Sequence, residues 1–236
     1  SANNSGYAGQ ITISAGTLSI SNDNNLGAAA TALTIGNGAL LSTLSTTLTR
    51  SISLTGTATV QAAATFTSTL SGVLSGAGSL TVSNAGTIVL GGANTYQGGT
   101  TVTSGILRVA NDGNLGNTAG TVNVGAGTFE TTSSFTSTRS GSFTGAAIIA
   151  PGVGNTLTLT GNFGGPGSLT INGGPSDLVL LGNNSYTGPT TIGSMIQLSG
   201  TTSGLQGNIG MVDGTPRLTF SQNFDGTYGG AINGPG

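Results

Sequence analysis

The amino-acid sequence predicts an all-β fold, a right-handed parallel β-helix (β-solenoid) with about 11 coils and essentially no helix. Three observations lead to this prediction: an internal repeat of about 89 residues, short strands between glycine- and asparagine-rich turns, and a composition of small uncharged residues. Of the 236 residues, 44 are glycine, 35% are hydrophobic and only 4% are charged. The formal net charge is −2, so the chain lacks the high net charge that keeps many polar sequences disordered.

The repeat organises the whole sequence. Residues 6–27 (GYAGQITISAGTLSISNDNNLG) align with residues 95–116 (TYQGGTTVTSGILRVANDGNLG) at an offset of 89. The same offset pairs Tyr7 with Tyr96, Asp23 with Asp112, and Arg50 with Arg139. A third copy opens at residues 181–192 (LGNNSYTGPTTI), one residue later than this offset requires. We therefore predict a single solenoid segment, 1–236, of a longer repetitive protein, with copies at about 1–90, 91–180 and 181–236, the last one incomplete.

Strand and turn signals fill each copy. Short runs such as TLSI (17–20) and SLTI (168–171) alternate hydroxyl and aliphatic side chains, and this period of two places the aliphatics on one face of a strand. Turn signals rich in glycine and asparagine separate the runs. The helix-friendly stretch QAAATF (Gln61–Phe66) is too short to form an α-helix, so we expect helix content near zero.

Short strands with frequent turns also occur in sandwiches, barrels and propellers, and the repeat decides between these folds. A propeller blade takes about 40–50 residues with aromatic signatures, whereas aromatic residues make up 5% of this chain. Stacked coils suit a self-similar chain of small residues, because each coil buries the inward aliphatics of its neighbours. With roughly 20–22 residues in a coil, one repeat takes about four coils, and eleven coils stacked at about 4.8 Å would extend for about 50 Å. The twist of parallel crossovers predicts right-handed winding.

Missing residue types exclude several classes of function. The sequence has no cysteine, histidine, tryptophan or lysine, and its basic residues are four arginines: Arg50, Arg108, Arg139 and Arg217. Without cysteine there is no disulfide and no thiolate metal site, and without lysine the glycine-rich GGANTYQGG (91–99) cannot be a phosphate-binding P-loop. Four scattered arginines cannot neutralise a nucleic-acid backbone, so we expect no nucleic-acid partner. No apolar run is long enough for a membrane-spanning helix, and residues 1–10 carry no signal-peptide pattern.

The acidic residues are too scattered to indicate catalysis or metal binding. The six acids are Asp23, Asp112, Glu130, Asp177, Asp213 and Asp225. Glycoside hydrolysis needs carboxylates in close pairs, but the repeat separates Asp23 from Asp112 by about four coils, near 20 Å. Both residues lie in asparagine-rich turns, where aspartate is favoured because it bonds its own backbone. We therefore assign no catalytic, cofactor-binding or metal-binding residue, and no cofactor.

Residues that recur with the repeat receive structural interpretations. The recurring tyrosines Tyr7, Tyr96 and Tyr186 are predicted to pack between coils, and Arg50 and Arg139 are predicted to be exposed. Aliphatics between the glycine corners are predicted core residues: Val102, Leu107 and Val109. Threonine rows such as TLTLT (156–160) raise the idea of ice binding, which we disfavour because such units do not recur in every coil.

The stretch LGGANTYQGGTTVTSGILRVANDGNLG (Leu90–Gly116) resembles the passenger-associated transport repeat of bacterial autotransporters. The family pattern is approximately Leu–Gly–x–Asn–Thr–Tyr–x–Gly–Gly–Thr–Thr–Val, then Gly–x–Leu and Leu–Gly. The first copy matches with Gly6 inserted, and the third matches at its start but has Met195 at the position of an expected glycine. This resemblance implies a parallel β-helix in a passenger that crosses the outer membrane unfolded and folds on the bacterial surface or in the extracellular space.

Three functions from different classes remain open. The leading hypothesis is a non-enzymatic structural or adhesive passenger segment that acts as a rigid stalk or display scaffold. The second is a self-assembling extracellular filament or matrix protein, and the third is a carbohydrate-active β-helix enzyme, which the scattered acids disfavour. The partners we expect are further copies of the chain, end to end or side by side, or a host-surface or matrix glycan or protein. We expect no membrane span in this segment.

Overall fold

The computed structural model describes residues 3–222 and 225–235 and divides the chain into two compact units, Ser1–Thr121 and Val122–Gly236. The outer ends of the predicted first and third repeat copies, residues 1–2 and 236, lie outside the described residues, as do residues 223–224. The described ranges contain strands and two short 3₁₀ turns but no α-helix, which confirms the all-β prediction. In those ranges no helix is long and apolar enough to cross a membrane.

The first unit is built from short strands. They are β1 (Ile11–Ile13), β2 (Thr17–Ile20), β3 (Leu33–Ile35), β4 (Ala39–Ser42), β5 (Thr46–Leu48), β6 (Ile52–Leu54), β7 (Thr57–Ala62), β8 (Thr67–Leu70), β9 (Leu74–Ser75), β10 (Ser79–Ser83), β11 (Thr87–Leu90), β12 (Thr100–Val102) and β13 (Ile106–Val109). The 3₁₀ turns Asp23–Leu26 and Asp112–Leu115 follow β2 and β13. Three sheets with parallel pairing run through this unit, in the orders β1-β3-β6-β9, β2-β4-β7-β10-β12 and β5-β8-β11-β13.

The second unit repeats this plan. Its strands are β14 (Val122–Val124), β15 (Thr128–Thr131), β16 (Phe135–Ser137), β17 (Gly141–Phe143), β18 (Ala146–Pro151), β19 (Thr156–Leu159), β20 (Phe163–Gly164), β21 (Ser168–Ile171), β22 (Ser176–Leu180), β23 (Thr190–Ile192), β24 (Ile196–Gly200), β25 (Ile209–Met211), β26 (Arg217–Phe220) and β27 (Ile232–Asn233). Its parallel sheets have the orders β14-β17-β20, β15-β18-β21-β23-β25-β27 and β16-β19-β22-β24-β26.

The strand register shows the length of one coil. Along the first sheet the paired residues are Ile11, Leu33, Ile52 and Leu74, so successive coils advance by 22, 19 and 22 residues. The predicted coil of roughly 20–22 residues agrees with two of these spacings and is one residue too long for the coil between Leu33 and Ile52. Together the two units supply about 11 coils, as predicted.

Aliphatic ladders form the core of each unit. In the first unit Leu33, Ile52 and Leu74 are paired neighbours and are fully buried, and in the second Leu157, Leu178 and Leu198 are stacked in the same way. Full burial of one such side chain stabilises the fold by about 1.5–3 kcal/mol. The strand residues between them are threonine or serine in many coils and are partly exposed, so the period of two seen in the sequence has the predicted meaning.

Crowded glycines set how closely the coils approach. Gly76 has φ 104°, and a Cβ on it would lie 2.3 Å from the carbonyl oxygen of Leu54 in the coil before. Gly165, at the repeat-equivalent position, has φ 101° and would place a Cβ 2.3 Å from the oxygen of Phe143. Only glycine fits such a site, because it adopts positive φ without strain and has no Cβ to clash. The glycine corners are therefore structural.

Candidate functional site

Buried asparagines of the repeat signature join three successive coils. In the second unit, Asn184 Oδ1 accepts a hydrogen bond from the Phe163 backbone N–H at 2.7 Å, and its Nδ2 donates to the Gly204 carbonyl at 2.6 Å. Asn94 makes the equivalent pair of bonds in the first unit, to Leu74 N–H and to the Asn114 carbonyl. These side chains are 7% and 6% exposed. The sequence interpretation missed them, although they recur 90 residues apart next to the signature tyrosines.

The signature tyrosines pack inside the coils, as predicted for two of the three copies. Tyr96 and Tyr186 are buried, and each hydroxyl shares a hydrogen bond with a threonine four residues later, Thr100 or Thr190. Burial raises the pKa of Tyr186 above its ordinary value of 10.0. The prediction is wrong for Tyr7, whose side chain is 50% exposed.

The expectation that Arg50 and Arg139 are exposed is wrong: they are 3% and 2% exposed. Arg50 Nε donates to Asp23 Oδ1 at 2.7 Å. Its remaining N–H groups bond backbone carbonyls of the 3₁₀ turn and the loop after it, those of Asp23, Leu26, Gly27, Ala28 and Thr31. A planar guanidinium with five donors can satisfy such a ring of acceptors, whereas a lysine cannot. Arg50 is therefore a structural clamp on a turn that lies one coil earlier in the chain.

The acidic residues do not gather into a metal site in the part of the chain that the structure describes. Within the described ranges, no group of three or more aspartate or glutamate side chains lies close enough to hold an ion. Asp23 lies in a turn, as predicted, but its carboxylate accepts from Arg50 and not from its own backbone. Asp225 is exposed, and Asp177 and Asp213 lie along one side of the second unit.

A cleft on that side of the second unit is the candidate binding site. It has a volume of about 220 Å³ and lies across β22, β24 and β26. The strand register aligns Asp177, Gln197 and Arg217 as direct neighbours across these strands. Neighbouring strands are about 4.8 Å apart, so the carboxylate, amide and guanidinium groups follow one another in a row. We call this row the polar ladder.

The groups of the polar ladder keep hydrogen-bonding capacity for a partner. Asp177 Oδ2 accepts from the Thr156 hydroxyl at 3.2 Å, and Gln197 Nε2 donates to the Ser199 hydroxyl at 3.3 Å. Within the described part of the chain, these bonds leave Asp177 Oδ1 and Gln197 Oε1 available, and Arg217 is exposed without a side-chain partner. Two acceptors, Asp177 Oδ1 and Gln197 Oε1, and then the donor Arg217 therefore follow one another along the floor of the cleft.

Met195 forms an apolar wall of this cleft at a corner built for glycine. Its φ is 58°, and the glycines at the equivalent place in the first two copies, Gly16 and Gly105, have φ 74° and 70°. A residue with a Cβ is strained in this region. The methionine side chain is 54% exposed and contributes to the lining of the cleft. The sequence singled out Met195 as a departure from the repeat, but it could not show where the side chain lies.

Asp213 holds the strained corner through a short chain of hydrogen bonds. Its Oδ1 accepts from the Thr215 hydroxyl at 2.6 Å and from the Thr215 backbone N–H at 2.8 Å, and its Oδ2 accepts from the Ser194 hydroxyl. The Thr215 hydroxyl oxygen in turn accepts from the Met195 backbone N–H at 2.9 Å. The bonds from Ser194 and Thr215 lower the pKa of Asp213 below its ordinary value of 3.8. The corner is therefore fixed by side chains of two successive coils.

Comparisons with known proteins support the signature. The passenger-associated-transport-repeat family matches three segments, residues 1–20, 80–109 and 174–194. The adhesin BmaC autotransporter of Brucella suis biovar 1 (strain 1330) is 37% identical over 130 residues. Those residues are 54% of this chain and 4% of that protein, so the chain spans only a small part of its curated relative. No solved structure is significantly similar to the chain. Both matches confirm the resemblance to autotransporter passengers that contain these repeats.

Proposed function

We propose that this chain is a non-enzymatic adhesive segment in the passenger of a large secreted or surface-anchored bacterial protein. The stacked coils act as a rigid stalk or display scaffold, and side chains on the outside of the scaffold contact a host surface or extracellular matrix. The relative that shares 37% identity with 130 residues of the chain is named as an adhesin, which supports an adhesive role.

The observation that supports the proposal most is that the recurring polar residues are buried and hydrogen-bonded within the scaffold. Asn94, Tyr96 and Arg50 are buried and are occupied by bonds to backbone or neighbouring side chains of the scaffold. Such residues build coils and offer nothing to a substrate. Asp23 is committed to Arg50 and Asp213 to its own turn, so Asp177 is the single acid that lines the cleft among the described residues, which favours binding over a catalytic pair of carboxylates.

Deletion of the segment from its parent protein tests this function. Bacteria that display the parent protein with and without residues 1–236 are compared for adherence to cultured host cells and to immobilised matrix. Surface amounts are matched with an antibody against another part of the passenger. We expect adherence per displayed molecule to fall when the segment is removed, because its contact surface is lost. Unchanged adherence would contradict the adhesive role.

Two further assays separate the remaining functions. Release of reducing ends from surface glycans by the purified chain would contradict a non-enzymatic role. Self-assembly end to end or side by side stays a prediction of the low charge, and electron microscopy of the purified chain tests it. Unbounded fibres at moderate concentration would favour the filament hypothesis over the display scaffold.

A further inference from the structure

We propose that the cleft across β22, β24 and β26 binds a neutral, polyhydroxylated carbohydrate. The inference rests on the proposed adhesive function and names the ligand class and the residues that recognise it. Asp177, Gln197 and Arg217 would bond hydroxyl groups, and Met195 would pack against an apolar face of a sugar ring. Nothing in the repeat signature itself is used for this contact.

The site lies where the third copy departs from the repeat. The third match to the repeat family ends at residue 194, directly before Met195. At that point a glycine corner becomes a methionine with φ 58° and a largely exposed side chain. Strain of this kind persists only where the surroundings over-determine it, and here the Asp213–Thr215 network holds the backbone of Met195. The chain thus keeps an unfavourable backbone and presents an apolar side chain beside the polar ladder.

Charged residues are concentrated at this site. The whole chain has four arginines and six acids, and three of these, Asp177, Asp213 and Arg217, lie on or beside the cleft. Arg108 and Glu130 each have an interaction within the structure, whereas the Arg217 side chain has no hydrogen-bond or ion-pair partner among the described residues. Few residues of this chain are charged. An exposed arginine with five free N–H donors, aligned with an amide and a carboxylate, can bond the hydroxyl groups of a ligand.

The chemistry of the cleft selects among ligand classes. The cleft is lined by one aspartate and one arginine, and the carboxylate of Asp213 lies beside it on Thr215, so the local charge is −1 and an anionic polymer such as a sulfated or sialylated glycan is disfavoured. An extended peptide would bind most readily by pairing with an open strand edge. β22 and β24 are paired on both sides, and the open edge of β26 lies at the end of the sheet, beyond the side chains of the polar ladder. A neutral sugar chain needs donors and acceptors in a row together with an apolar wall, and the cleft supplies them.

The ligand class is tested with the purified 236-residue chain on an immobilised panel of neutral oligosaccharides, sialylated and sulfated glycans, and extended peptides. We expect binding to members of the neutral set. Asp177→Asn, Gln197→Ala and Arg217→Ala are each expected to weaken it by about tenfold, the effect of losing one good hydrogen-bonded group. The control is Asp225→Asn, which removes the same charge from an exposed acid outside the cleft and should leave binding unchanged.

The Met195→Gly variant distinguishes a role of Met195 in sugar binding from a role in stability. Because it relieves a positive-φ strain, this variant should raise the thermal unfolding midpoint while it weakens sugar binding by about tenfold. A residue with a purely structural role would not move the two measurements in opposite directions. Equal sugar binding by the Met195→Gly and native chains would contradict the proposed packing of Met195 against the sugar ring.

Other outcomes also decide the matter. Binding only to acidic glycans or to peptides, binding that none of the cleft variants changes, or no binding to any member of the panel would overturn the carbohydrate assignment. The adhesive function is tested separately by deletion of the segment. Lost adherence together with no sugar binding would keep the adhesive function and reject this ligand class.

Discussion

At the scale of the residue, some polar side chains stabilise the fold and others line the surface cleft. Asn184 and Arg50 are buried and satisfy backbone groups, so they hold coils and turns together. Met195, Gln197 and Arg217 line a cleft at the surface of the second unit, and of these only Gln197 bonds a buried group, the Ser199 hydroxyl. Sequence reasoning recognised the recurrence of the tyrosines and arginines, missed that of the buried asparagines, and gave the arginines the wrong environment. Whether a turn residue is covered depends on which part of another coil passes over it, and no local pattern contains that information.

Replacement of Asn184 by alanine tests the first kind of residue. The variant leaves the Phe163 N–H and the Gly204 carbonyl without their partner in a buried place, and we expect a loss of about 2–3 kcal/mol in the free energy of unfolding. Chemical denaturation measures it. Asn183→Ala is the matched control, since Asn183 is the exposed neighbour of the same residue type and should change stability by less than about 0.5 kcal/mol. Equal losses in both variants would contradict the bridging role.

The Asp213 corner should respond to acid. Because the pKa of Asp213 is lowered in the folded chain, its carboxylate contributes stability above its ordinary value of 3.8, and this contribution is lost as the pH falls through the lower folded value. We expect the unfolding midpoint of the native chain to exceed that of Asp213→Asn slightly at pH 6. The difference should shrink towards zero below about pH 3.8. A difference that stays constant across this range would show that the charge of Asp213 does not hold the corner.

At the scale of the element, the coil is the unit of structure. Runs of alternating hydroxyl and aliphatic residues predict the strands and their inward faces, as Val102, Leu107 and Val109 show by their complete burial. The polar ladder could not be predicted, because the alignment of Asp177, Gln197 and Arg217 depends on the strand register between three coils, and the sequence pattern does not give this register. The two 3₁₀ turns also follow from tertiary contacts, among them the Arg50 clamp on the first.

A pair of glycines tests how close the coils are. A Cβ on Gly72 would lie 2.1 Å from the Arg50 carbonyl oxygen, so Gly72→Ala must push two coils apart, at an expected cost of about 1–3 kcal/mol. Gly214 has nothing within 4 Å of its Cβ position, and its φ is not positive. Gly214→Ala should therefore be neutral or stabilise the fold by about 0.4–1 kcal/mol, because alanine restricts the unfolded chain. Thermal or urea unfolding compares the two variants, and similar stabilities would contradict the tight stacking.

At the scale of the whole molecule, the internal repeat predicted the all-β solenoid and the approximate number of coils. It succeeded because a repeat that cannot bury its own aliphatic face must stack on its neighbours. The repeat could not predict the cleft, because the cleft lies where the third copy departs from the repeat. The right-handed winding and the length of about 50 Å stay predictions from strand twist and strand spacing.

The central claim is that the recurring buried residues stabilise the fold, whereas the residues of the cleft bind the partner. One measurement tests this claim most directly. The fluorescently labelled 236-residue chain and its Asn184→Ala and Arg217→Ala variants are bound to cultured host cells, and binding is measured by flow cytometry per folded molecule. We expect Asn184→Ala to lower the folded fraction but to keep the binding of the molecules that fold. Arg217→Ala should fold fully and bind about tenfold more weakly. Native binding by folded Arg217→Ala, or lost binding by folded Asn184→Ala, would contradict the claim.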